Sequence, residues 1–82
     1  MQTKAVVDAE VRRDENDPIW KKENADKMLL AGNYEGAFRA YSDALKDHIH
    51  PAAFANRGLA AMYLGALAQC IDDCTRALQT LN

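Results

Sequence analysis

At 82 residues the chain makes one small domain or a piece of a larger one, with a modest core. A net charge of −2 with 27% charged residues excludes the basic excess of a nucleic-acid binder and the lysine-rich face of a membrane binder. No apolar run approaches the ~20 residues of a spanning helix. The opening "MQTKAVVDAEVRRDEN" lacks the apolar stretch of a signal peptide, so a reducing, cytoplasmic setting is expected.

Residues 1–16 mix charges with Val6, Val7 and Val11 and read as a charged linker or an appended helix. Asp17-Pro18 is a helix start, with Asp as N-cap and Pro in the first turn. The helix runs through "PIWKKENADKMLLA" and stops at Gly32, which suits a left-handed C-cap. Asn33 caps a second helix from Tyr34 to about Asp47. Pro51 opens a third, ending at Leu64 before Gly65, and a fourth runs from about Leu67 to Thr80. No stretch alternates as a strand does, so the fold class is all-α. Helices of this length joined by short turns pack as antiparallel neighbours.

"GNYEGAFRAYSDAL" at 32–45 and "GALAQCIDDCTRAL" at 65–78 are copies of one unit at a 33-residue offset. Gly32 matches Gly65, Tyr41 matches Cys74, Ala44 matches Ala77 and Leu45 matches Leu78. Upstream, Pro18 matches Pro51 and Ala25 matches Gly58. Repeats of this length are stacked helical hairpins. They divide the chain into a first repeat at 17–50 and a second at 51–82.

Ala25, Ala37, Ala40, Ala44 and Gly58 are small enough to let helix axes approach closely. Gly58 in mid-helix costs ~1 kcal/mol against Ala, so close approach is its justification. Trp20, Met28, Tyr41, Phe54 and Met62 are expected to fill the space between the arms. Cys70 and Cys74, four apart, read as core cysteines. His48 and His50 form an H-x-H in a loop, and neither pair gives the spacing of a metal site. The sequence has no paired-carboxylate pocket, Ser-His-Asp set or Gly-rich phosphate loop, so no catalytic activity, metal or cofactor is expected. Asp72-Asp73 reads as the solvated face of the last helix. Arg57 is expected to lay its stem along the hairpin and pair with an acid.

The Gly, Tyr, Ala, Tyr and Ala of "AGNYEGAFRAYSDAL", with the small residues of "FANRGLAAMYLGALAQCIDDCTRAL", resemble the tetratricopeptide repeat (TPR) over residues 18 to about 80. The resemblance implies two tandem TPR hairpins, an α-solenoid fragment. Its function would be protein–protein interaction, through a groove lined by residues 18–31 and 51–64. "NDPIWKKENADKMLLAGNYEGAFRAYSDAL", "FANRGLA" and "CIDDCTRAL" further resemble heat-shock co-chaperone TPRs of the dynein-assembly-factor, or dyslexia-susceptibility, family. In those co-chaperones a carboxylate clamp holds the acidic C-terminal tail of a heat-shock chaperone, because a terminal carboxylate needs fixed donors and positive charge.

Carried over by position, the resemblance makes Lys22 the first clamp lysine and Asn56 the asparagine that opens the second repeat. Asp26 stands where an Asn is usual, and two further basic positions belong to a third repeat beyond this sequence. Asp26 lies one turn from Lys22, a pairing worth ~0.2–0.5 kcal/mol that would partly neutralise the clamp's cation. Binding of such a tail is therefore expected to be weak or absent, and Asp26→Asn to strengthen it. The alternative function is self-association, as a homodimer or by helix exchange. Leu67, Ile71, Leu78 and Leu81 lie on the last helix with nothing following to cover them. Burying ~400 Å² of such surface is worth on the order of 10 kcal/mol gross.

Overall fold

The computed structural model describes residues 17–81. The expected linker or appended helix at 1–16, with its three valines, lies outside them. Four helices follow one another: α1 (Pro18–Leu30), α2 (Tyr34–Asp47), α3 (Pro51–Tyr63) and α4 (Leu67–Leu81). Among the described residues there is no strand, and the fold is all-α. Each helix packs chiefly on its neighbours in sequence, so α1–α2 and α3–α4 form two hairpins, joined where α2 meets α3.

Local chemistry sets most of the boundaries. Asp17 Oδ1 accepts from the Ile19 N–H at 2.9 Å, with Pro18 supplying a first-turn residue that has no donor to satisfy. One repeat later His50 Nδ1 plays the same part, accepting from the Ala52 N–H at 3.1 Å ahead of Pro51. Asn33 Oδ1 caps α2 through the Gly36 N–H at 3.1 Å. A Cβ on Gly36 would stand 2.5 Å from Asn33 Nδ2, so this glycine makes room for the cap. Helices α1 and α3 end in the same way. Gly32 and Gly65, both at φ 83°, turn left-handed. The Gly32 and Asn33 N–H groups reach the Leu29 and Met28 carbonyls, and those of Gly65 and Ala66 reach the Met62 and Ala61 carbonyls. The 33-residue repeat of the sequence is a repeat of its turns.

The core between the hairpins is built from small residues around one large one. Ala25, Ala37, Ala53 and Ala60 are buried against Tyr41, with Met28, Leu29, Phe38 and Leu45 half-buried beside them. Tyr34 and Tyr63 stack with ring centroids 4.4 Å apart, tying the start of α2 to the end of α3. A Cβ on Gly58 would lie 3.2 Å from both Asp73 Cβ and the Cys70 carbonyl oxygen, the close approach expected of that glycine.

Three expectations need correction. Of the large residues meant to fill the arms, Tyr41 and Phe54 are buried and Trp20 and Met28 half-buried, but Met62 is 45% exposed. It lies about 100° around α3 from Ala61, past the arc that faces the neighbouring helices. Cys74 is exposed and Cys70 half-buried, so neither is a core cysteine. Position 41, the equivalent of Cys74, is covered by the second hairpin, whereas no described element covers position 74. Asp73 is fully buried rather than solvated. Arg57 grips it with two hydrogen bonds of 2.9 and 2.6 Å, and Gln69 donates to it at 3.0 Å. The Arg57 guanidinium lies 5.5 Å from the Phe38 ring centroid and 5.6 Å from that of Phe54, and also reaches Ser42. Arg57 thus pairs with an acid as expected, and the acid it takes joins α2, α3 and α4 at one point.

Candidate functional site

The first helices of the two hairpins, α1 and α3, meet at Asp26. Lys22 is one turn earlier on α1, and its Nζ lies 2.9 Å from Asp26 Oδ2. Asn56, from the middle of α3, donates through Nδ2 to Asp26 Oδ1 at 3.2 Å. The Tyr41 hydroxyl donates to the same oxygen in a short hydrogen bond. Three donors from three helices therefore converge on one carboxylate. The structure brings together Lys22, Asp26 and Asn56, which are 34 positions apart at the extremes of the chain segment they span.

Tyr41 is the member that sequence reasoning assigned only to the core. It is wholly buried, and a buried phenol needs an acceptor for its O–H. The pairing was foreshadowed by the acid at position 26, where the resemblance leads one to expect an amide.

The electrostatics follow from the geometry. Burial pushes the Asp26 carboxyl up, but the hydrogen bond from Tyr41, the Lys22 cation and the Asn56 amide together outweigh it. The carboxyl is held below its ordinary value of 3.8. Tyr41 is pushed above its ordinary value of 10.0 by burial and by the Asp26 carboxylate. At neutral pH the pair is a phenol donating to a carboxylate. Lys21 is engaged elsewhere: its Nζ lies 3.1 Å from Asp43 and 3.3 Å from Asp47, binding α1 to α2. The hydrogen bond to Asp43 raises its pKa above the ordinary 10.5.

Lys22 also borders a cavity of about 250 Å³ with Glu23, His48 and His50 around an apolar lining of Pro18, Ile19, Ala44 and Ala53. That is smaller than the ~300–1,000 Å³ of small-molecule pockets. Among the described residues, no group of three His, Cys, Asp or Glu side chains is placed to hold a metal, and no helix is long and apolar enough to cross a membrane. Within the cluster, the three donors are paired with one ionised acceptor of the chain itself.

The other predicted residues lie apart from this cluster. Leu67, Ile71, Leu78 and Leu81 are exposed by 63%, 67%, 66% and 69% on α4.

Comparison with known proteins finds relatives from several organisms that bear the same name. The chain is 28% identical over 82 residues to dynein axonemal assembly factor 4 of Pongo pygmaeus and of Pan paniscus, covering 99% of this chain and 20% of theirs. Against the same factor of Rattus norvegicus it is 28% identical over 75 residues, 90% of this chain and 18% of the relative. The chain is thus a weak homologue along essentially its whole length, and spans about a fifth of the relatives it matches. No family model matches it, and no solved structure does.

Proposed function

We propose that the chain is a pair of TPR hairpins acting as the protein-interaction module of a cytoplasmic assembly factor, with no catalytic activity and no cofactor. The observation that carries this reading is the convergence of Lys22, Tyr41 and Asn56 on Asp26, where the first helices of both hairpins meet. Further support comes from the relatives, whose name is that of a dynein axonemal assembly factor. The groove beside the cluster takes an extended peptide, with the small cavity receiving one of its side chains.

The partner in this reading is the acidic C-terminal tail of a heat-shock chaperone, and Asp26 sets how well it binds. A peptide carboxylate entering the groove needs Lys22 and Asn56, and both already serve a carboxylate of the chain itself. The incoming group must displace Asp26 from its donors and then sit beside a like charge. The unaltered chain therefore holds such a tail weakly.

The test is a titration of the chain with the peptide Met-Glu-Glu-Val-Asp and with its C-terminal amide, followed by the NMR shift of the Asn56 side-chain amide. Asp26→Asn frees the donors and removes the repulsion. It is expected to tighten the free acid by about tenfold or more, equal to about 1.4 kcal/mol, and to leave the amide weak. Equal binding of acid and amide, or no gain in the variant, would sink the chaperone-tail reading.

A further inference from the structure

Helix α4 presents two thiols one turn apart. Cys70 is half-buried and Cys74 exposed, and both fall within the unbroken helix Leu67–Leu81. The two side chains lie within hydrogen-bonding reach of each other. They sit where α4 crosses α3 at Gly58. The place a Cβ would take on that glycine is 3.5 Å from Cys74 Sγ and 3.2 Å from the Cys70 carbonyl oxygen.

Geometry decides what such a pair can hold. Side chains one turn apart on a helix have Cβ atoms ~5–6 Å apart. A disulfide needs ~3.5–4.5 Å, so a direct bond requires the turn to unwind. That turn is pinned, because Asp73 within it is buried and takes two hydrogen bonds from Arg57. An atom placed between the sulfurs removes the difficulty. Two metal–thiolate bonds of ~2.3 Å each allow the sulfurs to stand as far as ~4.6 Å apart, with the helix intact.

Chemistry narrows the choice of atom. Burial, together with the Cys74 thiol and Asp73 beside it, pushes the Cys70 thiol above its ordinary 9.0. At neutral pH it is therefore a protonated thiol and a poor nucleophile, which disfavours attack on an electrophile. A soft metal ion can take the place of the protons, and thiolate sulfur selects copper(I), zinc or iron–sulfur clusters. Structural zinc and iron–sulfur clusters call for four protein ligands. Among the described residues no group of three His, Cys, Asp or Glu side chains is placed to hold a metal. Asp73, the nearest acid in sequence to both thiols except Asp72, already serves Arg57 and Gln69. Copper(I), with its filled d shell, is satisfied by two sulfurs in line.

We infer that Cys70 and Cys74 form a two-sulfur site for copper(I) on α4. On binding, two S–H bonds are replaced by two S–Cu bonds and two protons pass to water, while the ion keeps its oxidation state.

The experiment is an anaerobic titration of the 82-residue chain with the copper(I)–bicinchoninate complex under ascorbate, in which loss of the complex's colour reports transfer of the ion. The expected result is one ion per chain, with the helical circular dichroism and the sedimentation mass unchanged by uptake. Losing a partner that only orients a ligand weakens metal binding by ~10–100-fold, so Cys70→Ser and Cys74→Ser, which remove a ligand itself, should each weaken it by about a hundredfold or more. X-ray absorption at the copper edge of the unaltered chain should show two sulfur neighbours and no nitrogen, a readout that holds even where a variant fails to fold. Undiminished uptake by either serine variant, an ion shared between two chains, nitrogen or a third sulfur at the copper, or loss of helix on binding overturns the inference. Its failure is separate from that of peptide binding, which is read at Asn56.

Discussion

Removing the Asp73 carboxylate should cost this protein a large part of its stability. Asp73 is wholly buried and receives two hydrogen bonds from Arg57, whose side chain is only 14% exposed and lies close to the rings of Phe38 and Phe54. Asp73→Ala leaves a guanidinium confined between α2 and α4 with only its hydrogen bond to the Ser42 hydroxyl in place of the carboxylate. Breaking a buried pair by deleting one partner costs about 3–5 kcal/mol. The residual exposure of Arg57 places this case at about 3 kcal/mol. A domain of this size has roughly 0.05–0.15 kcal/mol of stability per residue, so the loss is of the same order as the whole. Urea unfolding followed at 222 nm measures it. A double-mutant cycle then compares Asp73→Leu, Arg57→Leu and the two combined, because an apolar pair of similar volume leaves no charge stranded. The double variant should lie closer to the parent than Asp73→Ala does. A loss below about 1 kcal/mol for Asp73→Ala, or simple additivity around the cycle, would show that the pair is not the joint between α2, α3 and α4 described above.

The remaining predictions concern single contacts. The Asp26 carboxyl is depressed in the folded state, so the stability it contributes is complete above its ordinary value of 3.8 and is lost as pH falls below that value. Urea midpoints at several pH values should therefore fall more steeply on acidification in the parent than in Asp26→Asn. A Cβ at Gly58 gains about 1 kcal/mol of helix propensity but presses on Asp73 Cβ and on the Cys70 backbone from 3.2 Å. Because the carbonyl cannot swing aside, Gly58→Ala should be net destabilising by about 1 kcal/mol in the same unfolding assay. At Gly36 the obstruction is the exposed Asn33 side chain, which can move. Gly36→Ala should trade the cap of α2 for propensity and change stability by less than about 0.5 kcal/mol.

The helices were legible because their boundaries rest on local chemistry. Asp17-Pro18, Gly32-Asn33, Pro51 and Gly65 act within a few residues of themselves, and the observed ends fall within a residue or so of the expected ones. The fate of a helix face was less legible, because it depends on what covers it. Tyr41 and Cys74 hold equivalent positions with similar apolar neighbours, yet one is fully buried and the other exposed. Asp73 was misread for a related reason. An acid on a helix is ordinarily solvated, and only the distant Arg57, itself expected to find an acid, makes burial tolerable. At the candidate site, the positions of Lys22, Asp26 and Asn56 could be carried over from the resemblance. The hydroxyl of Tyr41 could not, since a tyrosine at a core position does not announce where its oxygen points.

The two hairpins differ where their partners differ, and the differences are matched. On the first, α3 covers position 41, and the buried phenol there has an acid at position 26 to receive its proton. On the second, the equivalents are Cys74 and Leu59. The thiol is exposed and requires no acceptor, and Leu59 is 37% exposed in the place of the acid. A polar cluster on the second hairpin would serve no buried donor, and an apolar pair on the first would strand one at a cost of about 1–3 kcal/mol. The Arg57–Asp73 pair follows the same logic in reverse. Its equivalents on the first hairpin, Asn24 and Ala40, carry no charge. Each hairpin therefore carries the polar residues required by the joint it makes. Asp26 supplies the acceptor that the joint to α3 needs for the Tyr41 hydroxyl and the Asn56 amide, whether or not a ligand binds.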